Sequence, residues 1–212
     1  MPQFPIFLNL RGRKCLVIGG GPVAERKVKS ILECEGLVRL VSPRITSALA
    51  DLSAQKRLQW EARNYSEVDL AGVFLAFICT DDYQLNRSIA QDCHQRMIMV
   101  NVADDPSNCD FFVPSLLRRD SLAVAISTEG RSPLFSRRLR EELEQLIPQD
   151  YGQLVEGLGR MRDHIKTLVE DTNTRQAVYR LLLQPDILEL LRNNQEEKAR
   201  ERIEACISSW QD

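Results

Sequence analysis

Along the chain, short continuous apolar runs alternate with stretches in which apolar residues recur every three or four positions. The runs Lys14 to Ile18, Leu37 to Val41, Leu58 to Glu61, Val73 to Ile78 and Met97 to Val102 have strand length. Their continuity, without polar alternation, predicts strands buried on both faces. Between them, Val23 to Glu35 carries helical spacing at Val23, Val28, Ile31 and Leu32, and Ile45 to Lys56 predicts a second helix. A third helix runs from the Thr80-Asp81-Asp82 turn to Gln95. Pro22 sits where a first helical turn tolerates proline, and Gly36 is a suitable stop. Alternation of this kind predicts a parallel sheet covered by helices on both faces.

Beyond Val102 the pattern changes. Asp104-Asp105-Pro106-Ser107-Asn108 is a run of turn formers, and Phe111 to Val113 and Leu122 to Ile126 predict two further strands. Gly130-Arg131-Ser132-Pro133 opens a helix through Leu146. From Pro148 onward only helical segments remain, broken near Thr172-Asn173 and at Pro185. The expectation is an α/β chain in three parts: a parallel-sheet domain over 1–113, a central α/β segment over 114–147, and an all-helical domain over 148–212.

Charge narrows the functions available. Lys and Arg total 28 against 30 Asp and Glu, a net charge of −2, which argues against a dedicated nucleic-acid binder. No apolar run approaches the roughly 18–20 residues needed to cross a bilayer. Residues 1–7 lack a basic region followed by an apolar one, so no signal peptide is predicted and the expected location is the cytoplasm. The six cysteines, 15, 34, 79, 93, 109 and 206, form no C-x-x-C pair, and His94 and His164 are the two histidines. Buried thiols are therefore expected rather than a metal site.

The first chemical signal is Gly19-x-Gly21-x-x-Ala24, directly after a strand and opening a helix. Glycines let the backbone turn tightly and approach a pyrophosphate whose charge faces the helix N-terminus. Gly19, Gly20, Gly21, Pro22 and Val23 are the candidate cofactor residues of this turn. The acid expected some 20 residues on, for an adenosine ribose, is missing: Ser42-Pro43-Arg44 stands there. Ser42 and backbone groups suit ribose hydroxyls, and Arg44 suits a 2′-phosphate, so the residues leave NAD and NADP open. Thr80 and Asp81, after the fourth strand, should line the same cleft, with Asp81 or Asp82 as the helix N-cap in the plainer reading.

These residues sit within a longer likeness. Residues Pro5 to Leu10, then Cys15 to Lys27, Thr80 to Asp82, Asn101 to Asp104, Phe111 to Ser115 and Ser127 to Pro133 resemble, in order and spacing, the precorrin-2 dehydrogenase family, the N-terminal module of sirohaem synthase. The likeness is close over 4–147 and extends to the helical tail only in kind. It implies a Rossmann-type domain, a central dimerisation segment and a helical C-terminal domain, with two chains interleaved as a homodimer. It implies NAD-dependent oxidation of precorrin-2 to sirohydrochlorin, and in some members insertion of Fe2+ as well. A chain of 212 residues fits the stand-alone form, without a fused methyltransferase. Asn101 joins the cofactor residues on the same ground.

The family's catalytic aspartate maps onto Asp104. Dehydrogenation of a reduced tetrapyrrole releases a proton and a hydride, and a carboxylate at the carboxyl edge of a parallel sheet suits a general base. The plainer reading is a turn-capping Asp, favoured by the Asp-Asp-Pro-Ser run; Asp105 is a neighbour able to share the role. From Arg118 to Arg140 there are six arginines (118, 119, 131, 137, 138 and 140) against Asp120 and Glu129. A basic wall suits a polycarboxylate substrate, because arginine forks pair with carboxylates bidentately. Ser127, Thr128, Gly130, Arg131, Ser132 and Arg138 are the candidate substrate residues, with Arg131 and Ser132 favoured by their place at a helix start. The plainer reading is a solvated helix face with Arg140 and Glu144 paired at i,i+4. Two other function classes remain at this stage. One is a nucleotide-sensing regulatory domain, and the other a protein that delivers a tetrapyrrole.

Overall fold

In the computed structural model, which describes residues 3–208, the chain divides into two compact units, Met1–Val113 and Pro114–Asp212. Residues 1–2 and 209–212, at the outer ends of the predicted first and last parts, lie outside the described residues.

The first unit is built on five parallel strands. They are β1 (Lys14–Ile18), β2 (Leu37–Val41), β3 (Gln59–Glu61), β4 (Leu75–Ile78) and β5 (Met99–Val102), in the order β3-β2-β1-β4-β5. Successive side chains point to opposite faces of a strand, and both faces find partners. Cys15, Val17, Val38, Leu40, Leu75 and Phe77 pack in one core with Val28 and Ile31 of helix α1 (Pro22–Glu33). Leu16, Ile18, Ala76, Ile78, Val100 and Val102 pack in the other with Ile89 and Cys93 of helix α3 (Tyr83–Gln95). Two covered faces explain why these strands read as uninterrupted apolar runs. Helix α2 (Ser47–Ala54) follows β2, with Thr46 as N-cap accepting from Leu49 N–H. A 3-10 turn at Glu67–Leu70, absent from the sequence reading, precedes β4.

The order of strands reverses at β1. The two halves of the sheet leave that strand in opposite directions, so the loops at its carboxyl end part and leave a crevice.

The second unit opens with a hairpin of β6 (Ser115–Arg119) and β7 (Leu122–Ile126), paired antiparallel. A two-stranded ribbon is marginal alone, and this one packs on α4 (Pro133–Leu146) and α5 (Asp150–Leu168). Gly152 of α5 is required there, because a Cβ would meet the Arg119 carbonyl oxygen at 2.8 Å. Helices α6 (Thr172–Leu181), α7 (Pro185–Arg192) and α8 (Glu196–Ser208) complete the unit. Leu154, Met161 and Ile165 of α5 recur at helical spacing and close a core with Val178, Leu191 and Ile203.

One predicted strand is displaced. Phe111 to Val113 forms no strand, and pairing begins at Ser115. Phe111 is instead anchored to the first unit, its ring edge-on to Phe77 at 5.4 Å and its carbonyl bonded by Asn101. Pro114 then denies the ladder a donor. The break predicted at Thr172-Asn173 falls two to three residues earlier, because Asp171 caps α6 by accepting from Thr174 N–H.

Candidate functional site

The carboxyl edge of the five-stranded sheet holds a cleft of about 540 Å³. Its floor is the turn between β1 and α1. Gly19 adopts φ +106°, and a Cβ there would stand 2.3 Å from the Cys79 carbonyl oxygen. Glycine is therefore needed for both conformation and space. Gly21 is the N-cap of α1, and no side chain caps the helix. A Cβ on Gly21 would meet nothing within 4 Å, so the backbone here fronts open space. An uncapped helix start behind a bare glycine is a cradle for an anion, since the first backbone N–H groups point outward and the helix dipole favours negative charge. Glu25, in the first turn, is turned aside: its carboxylate accepts from Lys29 Nζ at 2.5 Å and from Thr46 Oγ1 at 2.8 Å. Those two bonds, Lys29 first, hold its carboxyl below the usual range.

The loop after β2 forms one wall. Ser42 is buried, its Oγ donates to the Arg44 carbonyl at 2.6 Å, and its own carbonyl accepts from Trp60 Nε1 at 2.9 Å. That arrangement leaves the hydroxyl's lone pairs available and its proton used. Pro43 and Arg44 are exposed in the same wall. Thr80 and Asp81 contribute from the end of β4. Thr80 bonds through its hydroxyl and its carbonyl to the buried Asn86 side chain, while Asp82, not Asp81, caps α3 by accepting from Leu85 N–H at 3.0 Å.

The sequence reading missed the wall after β3: Arg63, Asn64 and Tyr65 also line the cleft. Arg63 is fixed by a bidentate pair with Asp69, Nη1 to Oδ2 at 2.8 Å and Nη2 to Oδ1 at 2.7 Å. Asp69 is fully buried and also accepts from Arg39 Nη2 and Ser66 N–H. The Arg63 guanidinium holds the Asp69 carboxyl down to about 2. A signal existed, because every strand of a parallel sheet delivers its following loop to the same edge, and β3 is no exception.

Pro22 and Val23 lie on the first turn of α1 and do not line the cleft. Nor does Asn101, whose buried amide donates to the Phe111 carbonyl at 2.9 Å and approaches Cys109 Sγ at 3.6 Å. Asp104 stands two residues past β5, exposed and at φ +60°, and among the described residues its carboxylate has no hydrogen-bond or ion-pair partner. Its charge reaches the cleft wall. Burial pushes the Cys79 thiol up to about 11, Lys27 and Arg26 pull it back, and Asp104 adds to the rise. Asp105 differs from its neighbour in being buried, with its carboxylate accepting from Ser107 Oγ at 2.6 Å and Asn108 Nδ2 at 2.7 Å.

In the second unit, the turn from β7 to α4 gathers the other candidates. Ser127 Oγ accepts from Glu129 N–H, Thr128 Oγ1 from Ser132 N–H, and Ser132 Oγ caps α4 through Phe135 N–H. Glu129 and Gly130 are both left-handed, at φ +54° and +77°, which presents Arg131 in solvent at the helix start. Arg137, Arg138 and Arg140 pair along α4 with Glu141, Glu142 and Glu144, so part of the basic segment is neutralised in place. Arg119 is engaged with the Ile147 carbonyl at 3.0 Å. Cys15, Cys34, Cys79, Cys93 and Cys109 are free thiols. Among the described residues no three His, Cys, Asp or Glu gather closely enough for a metal ion, and no helix is long and apolar enough to cross a membrane.

Comparison with known proteins adds three consecutive matches. Residues 6–115 match the family model described as putative NAD(P)-binding, 119–146 the sirohaem biosynthesis protein central region, and 150–207 the sirohaem synthase dimerisation region. A sirohaem synthase of Thioalkalivibrio sulfidiphilus is 37% identical over 212 residues, covering 100% of this chain and 43% of that protein. Siroheme synthase 1 of Klebsiella pneumoniae is 39% identical over 179 residues, 84% of this chain and 38% of the relative. The chain thus spans less than half the length of these curated relatives. Among solved structures, "SirC, precorrin-2 dehydrogenase" superposes with a TM-score of 0.79 at 25% identity, covering 96% of this chain and 100% of that one.

Proposed function

We infer a dehydrogenase function from one premise: this chain belongs to the family of sirohaem synthase N-terminal modules, with the NAD(P)-binding, central and dimerisation regions in succession. The proposed reaction is oxidation of precorrin-2 to sirohydrochlorin by a nicotinamide dinucleotide. The observation that carries it is the Asp104 carboxylate, exposed and without a hydrogen-bond or ion-pair partner among the described residues, at the sheet edge that also bears the glycine cradle.

When bound, the dinucleotide supplies the hydride acceptor. The residues present suit it: Gly21 and the uncapped start of α1 would hold the pyrophosphate, and the Ser42–Arg44 loop with Arg63 would take the adenosine side. NAD is the proposed dinucleotide, on the family likeness. The chain's chemical share is one proton. Asp104 Oδ accepts it as the macrocycle loses its hydride, and solvent exposure then lets the carboxyl discharge it. Arg131, Ser132, Thr128, Ser127, Gly130 and Arg138 are proposed to anchor substrate carboxylates, Arg131 foremost because no carboxylate pairs with its side chain among the described residues. A working homodimer in the cytoplasm is part of the reading. The dimerisation match and the exposed Leu134 and Phe135 of α4 support the second copy.

The test is turnover. Precorrin-2 with NAD+, and separately with NADP+, should give reduced nicotinamide in step with loss of precorrin-2. No turnover by folded, dinucleotide-binding protein would overturn the enzyme reading in favour of a nucleotide sensor. The same free carboxylate suits removal of pyrrole protons as Fe2+ enters sirohydrochlorin. Incubation of sirohydrochlorin and Fe2+ without NAD+ tests this, and a rate equal to background removes chelation from the function.

A further inference from the structure

One sulfur atom grips the Asp104 loop from both ends. Val102 N–H donates to Cys109 Sγ at 3.1 Å, and the thiol faces two carbonyls, Val102 O and Asp105 O, each at 3.3 Å. A thiol has one proton, so it serves one carbonyl at a time while its lone pairs accept. Val102 is the last residue of β5 and Asp105 the first past Asp104. The sulfur therefore bridges the backbone on either side of Ala103 and Asp104. This matters because Asp104 is left-handed at φ +60°, a conformation that costs a non-glycine residue free energy unless its surroundings over-determine it.

A second clasp tightens the far side. The buried Asp105 carboxylate holds Ser107 and Asn108, and Asn108 N–H returns to the Asp105 carbonyl at 3.3 Å. That 3-10 turn delivers Cys109 back beneath the strand end. Burial and the charges of Asp105 and Asp110 push the Cys109 thiol up, against the opposing pull of Val102 N–H and Lys27. At neutral pH it is a protonated donor.

We propose that Cys109 is the positioning residue of the proton-accepting carboxylate: its thiol, clasped across Val102 and Asp105, fixes the left-handed backbone that presents Asp104. The inference rests on the reading of Asp104 as the base, and its test separates the two.

The full chain is assayed with precorrin-2 and NAD+, and NAD+ binding is titrated in parallel. Cys109→Ala should lower kcat about 10- to 100-fold, up to the scale of a 1 Å misplacement of a reacting group, while Kd for NAD+ stays within about twofold. Cys109→Ser, which keeps a donor and acceptor on a shorter bond, should recover part of the loss. The deciding measurement is a double-mutant cycle. In an Asp104→Asn background, Cys109→Ala should cause no further loss, because no carboxylate remains to orient. Equal losses in both backgrounds, or a wild-type kcat in Cys109→Ala, would overturn the proposal while leaving Asp104 as the base. A wild-type kcat in Asp104→Asn alone would remove the base reading and this inference with it. Should the alanine variant fail to bind NAD+, the serine variant carries the same cycle.

Discussion

The carbonyl of Arg44 lies directly over Gly20, so that a Cβ on Gly20 would fall 1.9 Å from its oxygen. The next residue is the opposite case, with nothing within 4 Å of a Cβ on Gly21. The two glycines therefore do different jobs. Gly20→Ala should destabilise the first unit by about 1–3 kcal/mol, the scale of a forced backbone shift, seen as a lowered Tm. Gly21→Ala should leave Tm unchanged and weaken dinucleotide binding, and Gly21→Asp should abolish it by filling the anion's space with a like charge. Equal Tm losses for the alanine variants would contradict this division.

Asp104→Asn should reduce kcat by about 10²–10⁴, the range for loss of a general base, with NAD+ affinity near wild type. Asp105→Asn should behave differently, since its carboxylate is buried on Ser107 and Asn108. There the expected result is a lower Tm together with a lower kcat. If Asp104→Asn keeps its kcat, Asp104 is only a turn residue.

Asp69 links the cleft wall to pH. Its carboxyl is held down to about 2 by Arg63, against about 3.9 in an unfolded chain. A depressed folded pKa gives stabilisation that is present above about pH 4 and disappears as pH falls toward 2. Asp69→Asn should cost about 2–3 kcal/mol at neutral pH, less than a fully buried pair because Arg63 is partly exposed. It should also flatten the fall in stability between about pH 4 and 2. Urea denaturation at stepped pH measures both, and an unchanged acid slope would rule the linkage out.

Arg44 stands in the wall that the ribose side should occupy, with no acid beside it on the loop after β2. Arg44→Asp should disfavour NADP+ relative to NAD+ by about 10-fold, one charge reversal near a phosphate being worth of order 1.4 kcal/mol at a surface. Ratios of kcat/KM for the two dinucleotides read this directly. An unchanged ratio would place the 2′ position elsewhere.

Arg131 and Arg138 differ in what already holds them. Arg138 Nε is on Glu142 at 2.9 Å, whereas Arg131 is presented in solvent by the left-handed turn before α4. Arg131→Ala should raise KM for the tetrapyrrole about 10-fold, the cost of one charge-assisted bond, and Arg138→Ala by about twofold. Dinucleotide Kd should move in neither. A larger effect from Arg138 would reverse the assignment.

Much of this was written in local pattern. The continuous runs at Leu16, Ala76 and Val100 already required two covered sheet faces, and Gly19-x-Gly21 already marked the floor of the cleft. Its third wall was signalled by topology alone, because Arg63, Asn64 and Tyr65 carry no motif of their own. They reach the cleft only because β3 lies beside β2, and Asp69, six residues on, locks the arginine. The strand expected at Phe111 failed for a related reason. The Phe111 ring is spent on Phe77, 34 residues back, and its carbonyl on Asn101, while Phe112 and Val113 are left exposed.

The amino-acid order by itself determined the parallel sheet, the glycine turn and the family likeness, since each rests on spacing between near neighbours. Only the tertiary structure decided which of two adjacent aspartates is free. Asp104 and Asp105 are chemically the same in the sequence. The fold buries one carboxylate and leaves the other exposed, because the turn after Asp105 brings Ser107 and Asn108 round to donate to it and, among the described residues, nothing donates to Asp104.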